Sequence, residues 1–116
     1  MQDFAITSTL RDGVWVIDVT GEARVEFSDD LVREVARLLE QTPTDVLLNC
    51  KQLQFMDSAS TGALLRVDAQ TRSHDRRMAL FHLSPIVQRV LDVTNLAECF
   101  AIAPDETQAR ALLTER

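Results

Sequence analysis

The stretch Phe55-Met56-Asp57-Ser58-Ala59-Ser60-Thr61-Gly62-Ala63-Leu64-Leu65 holds the residues best suited to chemistry. An apolar run ends in a carboxylate, Asp57. The hydroxyls of Ser58, Ser60 and Thr61 follow it. The next residues read as a helix, so these groups sit at a helix N-terminus. Free backbone N–H groups and the positive end of the helix dipole favour an anion there. Two roles fit. Asp57 or Ser58 can cap the helix. A serine at this place can also carry a phosphate, whose charge the helix end would tolerate.

Other chemistries fit poorly. The stretch has no glycine-rich phosphate loop. Ser58-Ala59-Ser60-Thr61-Gly62 has only part of the G-x-S-x-G pattern, and a hydrolase of that kind wants a late histidine after the acid. The histidines are His74 and His82, and the chain is too short for that fold. Neither has metal-ligand spacing with Cys50 or Cys99. No metal, cofactor or catalytic set is expected. His82 reads as a strand-end residue near the site. Arg72, Arg76 and Arg77 lie roughly 20 Å from Ser58 along a helix rising 1.5 Å per residue. They read as solvated partners of that helix's C-terminus.

The positioning elements follow from periodicity. Phe4 to Leu10 and Val14 to Val19 read as strands joined by the turn Arg11-Asp12-Gly13. Ser28 reads as the N-cap of a helix, with Asp29 and Asp30 at its positive end. Leu31, Val35, Leu38 and Leu39 form that helix's inner face, and Pro43 ends it. Val46-Leu47-Leu48 begins a covered strand that runs to Asp57. The second helix buries Ala63, Leu64, Val67 and Thr71. Met78 to Phe81 is a further strand. Ser84-Pro85 starts a third helix with Ile86, Val87, Val90 and Leu91 inward. Phe100 to Ile102 is a last strand, and Pro104-Asp105-Glu106 opens a last helix carrying Ala109, Leu112 and Leu113. Strands alternating with helices imply parallel neighbours, and the hairpin makes the sheet mixed.

Composition narrows the function. The 116 residues suit one domain, and area scaling gives about 6,300 Å² of folded surface. Net charge is -6, against the basic patch a nucleic-acid binder needs. Residues 1–58 hold 5 basic and 11 acidic side chains, so the first half carries the imbalance. No apolar run approaches the roughly 20 residues of a membrane span. Met1-Gln2-Asp3 shows no leader signal. Cys50 and Cys99 lie in apolar surroundings and read as buried, reduced thiols of a cytoplasmic protein.

The chain resembles the STAS domain family in its stand-alone bacterial form. Gly21-Glu22 is similar to the start of that family's G-E-L-D turn. Phe55-Met56-Asp57-Ser58 through Gly62-Ala63-Leu64-Leu65 resembles its F-[IM]-D-S-S-G-L-G-A-L-L signature. Leu83-Ser84-Pro85-Ile86-Val87 with Arg89-Val90-Leu91 resembles its third-helix start. Leu96 and Phe100 resemble the pattern that follows. The resemblance covers essentially residues 1–116 as a single domain. It implies an α/β fold with a mainly parallel sheet, an N-terminal hairpin and about four helices.

The resemblance also implies a role, that of an anti-sigma factor antagonist. The unphosphorylated protein would bind an anti-sigma factor that is a serine kinase of the histidine-kinase-like ATPase class. Phosphorylation at Ser58 would release it, and a serine phosphatase would reset the cycle. The protein itself would not be an enzyme. The expected partner surface is the rim from Gly21 to Asp30, the Ser58 loop and the Ser84 turn. It includes Gly21, Glu22, Arg24, Asp57, Ser58, Ala59, Ser60, Thr61, Gly62, Ser84 and Pro85. Glu22, Glu26, Asp29 and Asp30 make that rim acidic, so the partner should be basic. Arg24, Asn49, Ala59 and Ser60 depart from the family pattern. Ser60 in place of glycine should stiffen the loop and offers a second hydroxyl, and Arg24 could face a phosphate on Ser58. STAS-like domains also serve as structural subunits of lipid-transport or signalling complexes, which is the alternative role.

Overall fold

Successive residues of a strand point to opposite faces, and the strand after Pro43 shows what that requires here. Val46 and Leu48 pack into one apolar cluster, and Leu47 packs into another. Both faces of the sheet must therefore be covered. The computed structural model describes residues 3–115. Met1 and Gln2, read above for a leader signal, lie outside them.

Strands β1 (Phe4–Arg11) and β2 (Val14–Ala23) come first, then helix α1 (Val25–Gln41). Strand β3 (Val46–Met56) leads into α2 (Ser58–Ser73), and β4 (Met78–Phe81) into α3 (Pro85–Val93). A short 3-10 turn, β5 (Ala101–Ala103) and α4 (Glu106–Thr114) complete the order. The sheet runs β1-β2-β3-β4-β5, antiparallel at β1–β2 and parallel elsewhere. This is the expected mixed α/β sheet with four helices. Asp12 and Gly13 both have positive φ, 51° and 76°. That pair of angles makes the two-residue hairpin turn that Asp-Gly favours.

Three helices cover one face. Phe27, Leu31, Val35, Leu38 and Leu39 of α1, Leu64 and Val67 of α2, and Val87 and Leu91 of α3 pack there against Trp15, Ile17, Leu48 and Leu80. Helix α4 covers part of the other face, setting Ala109 and Leu113 on Val16, Leu47, Ala79 and Phe81. The accessible surface is 6321 Å², as the mass predicts.

Four expectations change. Ile86 is 49% exposed, because the first turn of α3 presents it outward while Val87 and Leu91 take the core. Strand β5 begins one residue later than expected, and Phe100 before it turns into the core. Arg77 serves the end of α4 and not that of α2: its Nη1 donates to the Leu112 and Glu115 carbonyls. Cys99 is exposed, since the 3-10 turn Ala97–Cys99 buries nothing.

Cys50 is buried, and burial pushes its thiol up to about 12. A thiolate is the reactive form. The folded protein should therefore react with a thiol reagent at one fast equivalent, Cys99. Cys50 should react only on unfolding. Mass mapping of the labelled residue checks this, and rapid labelling of both would contradict the packing. The linkage sign is also fixed. The folded Cys50 pKa lies above the unfolded one, near 9. Its stabilising contribution is therefore complete below pH 9 and is lost as pH rises towards 12.

Candidate functional site

Parallel pairing of β2 and β3 delivers both C-terminal ends to one rim. Ala23 lies opposite Met56, and the Asp57 N–H donates to the Ala23 carbonyl at 3.2 Å. The register of β2 against β3 shifts at Gly21/Glu22. Gly21 has φ of 90°, and a Cβ there would lie 2.1 Å from the Asp3 carbonyl oxygen. The Glu22 N–H donates to that same oxygen at 2.9 Å. The glycine thus lets β1 and β2 approach while the chain turns toward the site. Replacing it by alanine forces a left-handed residue and a clash, so we expect Gly21→Ala to cost about 2 kcal/mol in urea unfolding. A neutral result would remove the requirement for glycine.

The loop itself is fixed by Asp57. Its backbone is extended, and its Oδ1 accepts from the Ser60 N–H at 2.9 Å, so Asp57 is the N-cap of α2. The same oxygen accepts from Ser60 Oγ at 2.9 Å. Thr61 Oγ1 donates to the Asp57 carbonyl at 2.8 Å. Ser58 then falls at the first helical position, exposed, and its hydroxyl makes no hydrogen bond to another described residue. Ala59 beside it is exposed too. Gly62 is half-buried, and a Cβ added there would meet open space.

Ser60 and Thr61, expected on the partner surface, are buried at 0% and 2% exposure. They point inward because each bonds to Asp57, so they shape the surface from beneath. Ser60 is also closed to modification in this conformation. Ser28, expected as a cap, is an interior residue of α1 at 3% exposure. Helix α1 starts at Val25, after Arg24, whose side chain gives no cap hydrogen bond. Ser28 Oγ instead lies 3.1 Å from the Arg24 carbonyl and 3.2 Å from Ser60 Oγ. A serine four residues into a helix carries no local signal for a contact 32 residues away.

Ser84 secures the third connection. It caps α3 by accepting from the Val87 N–H, and its Oγ donates to the Leu53 carbonyl at 2.7 Å. Pro85 and Ile86 border a depression with Gly21, Leu53 and Gln54. His82 lines an adjoining depression with Lys51, Ser84, Pro85 and Pro104, which no residue of the Ser58 loop borders.

The charges on the rim are partly spoken for. Arg24 lies 4.2 Å from the centre of the Phe55 ring and 3.5 Å from Glu22. Asp30 pairs with Arg33 at 3.1 Å. Glu26 and Asp29 stay exposed and carry the acidic character. Behind them, Arg37 foremost holds the Glu34 carboxyl below its usual range, and Ser8 adds a 2.7 Å bond from β1.

The fold and site define a class: a small mixed α/β module with one accessible serine at a capped helix start on the rim of its sheet. Among the described residues no group of acids, cysteines and histidines could hold a metal, and no helix is long and apolar enough to cross a membrane.

The STAS domain profile matches residues 5–109, and the chain belongs to that family. It is 28% identical over 98 residues to the anti-sigma F factor antagonist of Paenibacillus polymyxa, covering 84% of each chain. The fold matches the anti-sigma factor antagonist SpoIIAA in its unphosphorylated form with a TM-score of 0.75, at 22% identity, over 93% of this chain and 96% of that one. It matches the Bacillus cell fate determinant SpoIIAA in the phosphorylated form with a TM-score of 0.68, at 21% identity, over 93% and 99%. At these identities the structural matches establish the fold.

Proposed function

We propose that this chain is a single-domain cytoplasmic binding switch, an anti-sigma factor antagonist without enzymatic activity. Its unphosphorylated form binds an anti-sigma factor that is also a serine kinase of the histidine-kinase-like ATPase class. Phosphorylation of Ser58 releases that partner, and a serine phosphatase resets the protein. The observation that carries this reading is the exposed Ser58 hydroxyl, bonded to no other described residue, at the start of a helix whose cap is already supplied by Asp57. The relative in Paenibacillus polymyxa and the two phosphorylation states of the structural neighbour support it.

The physics of release is local: a bulky, strongly hydrated group appears where the partner had packed on a bare hydroxyl, and the cost of desolvating it outweighs its attraction to a basic partner. A phosphate adds about -1.5 to -2 charge at neutral pH to a surface that had packed a neutral hydroxyl. It joins Glu26 and Asp29 on a rim already acidic. A basic partner docked on Gly21, Glu22, Arg24, Asp57, Ala59, Gly62, Ser84 and Pro85 would bind more weakly as salt rises.

The test is incubation with the cognate kinase and ATP, followed by mass spectrometry. One phosphate is expected on Ser58 and none on Ser58→Ala. Ser58→Asp should weaken partner binding at least tenfold, about 1.4 kcal/mol. No phosphate, together with unchanged binding by Ser58→Asp, would sink the switch. The buried Ser60, where the family motif has glycine, favours a second reading as an unphosphorylated structural subunit. Co-purification with a lipid-transport ATPase or a large signalling scaffold would select that reading.

A further inference from the structure

Two buried hydroxyls on different helices meet beneath the Ser58 loop. Each can donate one hydrogen bond. Ser60 Oγ lies 2.9 Å from Asp57 Oδ1 and 3.3 Å from the Arg24 carbonyl. The charged acceptor is the nearer and the stronger, so Ser60 donates to Asp57. Ser28 Oγ is then free to donate to Ser60 Oγ at 3.2 Å or to the Arg24 carbonyl at 3.1 Å. When Ser28 donates to Ser60, a continuous chain of bonds runs from Asp57, the neighbour of Ser58, through both hydroxyls to the first turn of α1. That turn carries Arg24 and Glu26, residues of the rim.

We propose that Ser60 and Ser28 are positioning residues that relay the state of Ser58 to the first turn of α1. The inference rests on the switch reading above and deepens it. A negative group on Ser58 repels the adjacent Asp57 carboxylate. Asp57 Oδ1 holds both the Ser60 N–H and the Ser60 hydroxyl, so any turn of that carboxylate loosens Ser60. Ser60 Oγ then shifts as the acceptor of the Ser28 hydroxyl, and Ser28 loses that tie. The Arg24 carbonyl also accepts the Ser28 N–H at 3.0 Å, the first hydrogen bond of α1. Phosphorylation would then alter the rim in two ways at once, by charge and by the footing of α1. A glycine at position 60, as in the family motif, has no hydroxyl with which to do this.

The experiment needs no partner. Amide hydrogen exchange is followed by NMR on the full chain, with Ser58→Asp as the charge. Exchange at the Ser28 amide should quicken about fivefold, the equilibrium factor of one ordinary hydrogen bond. In the Ser60→Ala background, Ser58→Asp should leave Ser28 exchange unchanged, which a purely structural role for Ser60 would not produce. An equal rise with and without the Ser60 hydroxyl, or no rise at all, overturns the relay. Should Ser60→Ala fail to fold, Ser28→Ala serves in the same cycle. The reverse path is then read by comparing exchange at the Ser60 amide with that in the parent chain: a rise supports the relay, and none overturns it. Kinase labelling of the parent chain separates the two ideas. Phosphate on Ser58 without the exchange response removes the relay and keeps the switch. The response without phosphate keeps the relay and removes the switch.

Discussion

Phe27→Ala should lower the stability of the fold by about 3–5 kcal/mol, the range for emptying a large buried aromatic site. Phe27 is completely buried in the first turns of α1. Its ring meets Phe4 of β1 edge to face, with centroids 5.6 Å apart and planes at 86°. Such pairs add about 0.5–1.5 kcal/mol beyond area burial. The site lies inside the larger apolar cluster, among buried side chains of the sheet and of the helices. Urea unfolding monitored by circular dichroism gives the midpoint shift. Phe27→Leu keeps most of the volume and should cost about 1 kcal/mol. A loss as small for alanine as for leucine would show that α1 is not anchored there. Because Phe27 sits beside Ser28, the alanine variant should also loosen the rim before it unfolds the sheet.

Asp57→Ala should cost about 3 kcal/mol, from two separable sources. Losing the cap of α2 is worth about 0.5–2 kcal/mol. The Ser60 hydroxyl, fully buried, loses its charged acceptor, for about 1–3 kcal/mol more. Asp57→Asn keeps an oxygen for both bonds and should cost about 1 kcal/mol, since Asn caps as well as Asp. Equal losses for the two variants would place the effect in the charge and not in the hydrogen bonds. Both are read by thermal and urea unfolding, with partner binding measured on variants confirmed as folded.

What the residues reveal in order of reading depends on how local each cause is. The fully apolar run Val46-Leu47-Leu48, which asks for a sheet covered on both faces, and the stripe Leu31, Val35, Leu38 and Leu39 depend only on strand and helix period, and both are borne out. Asp-Gly at 12 and 13 and Ser-Pro at 84 and 85 act within three residues, and they too stand as read. The cap of α2 was legible only to within one residue, since Asp57 and Ser58 both fit the local pattern, and the structure gives it to Asp57.

Ser28 was not legible, because cap grammar is local and its buried neighbour Ser60 comes from another helix. The start of α1 depends on the bulge at Gly21, which arises from pairing with both β1 and β3. Ile86 and Cys99 are apolar by type but fall where a short helix or 3-10 turn has no neighbour to cover them. The inward turn of Ser60 and Thr61 was equally invisible, since hydrophilic type alone suggests exposure.

The strand order β1-β2-β3-β4-β5 matters for how the chain is made. No strand has to be inserted between two that have already paired. Synthesis proceeds from the N-terminus at about 5–20 residues per second, slower than hairpin or helix formation. The hairpin can close first, and each later strand then adds to the one open edge left by its predecessor. Every residue from Gly21 to Gly62 has emerged before β4 begins at Met78. The loop that presents Ser58 can therefore be assembled on the growing chain while the sheet's last two strands are still to come.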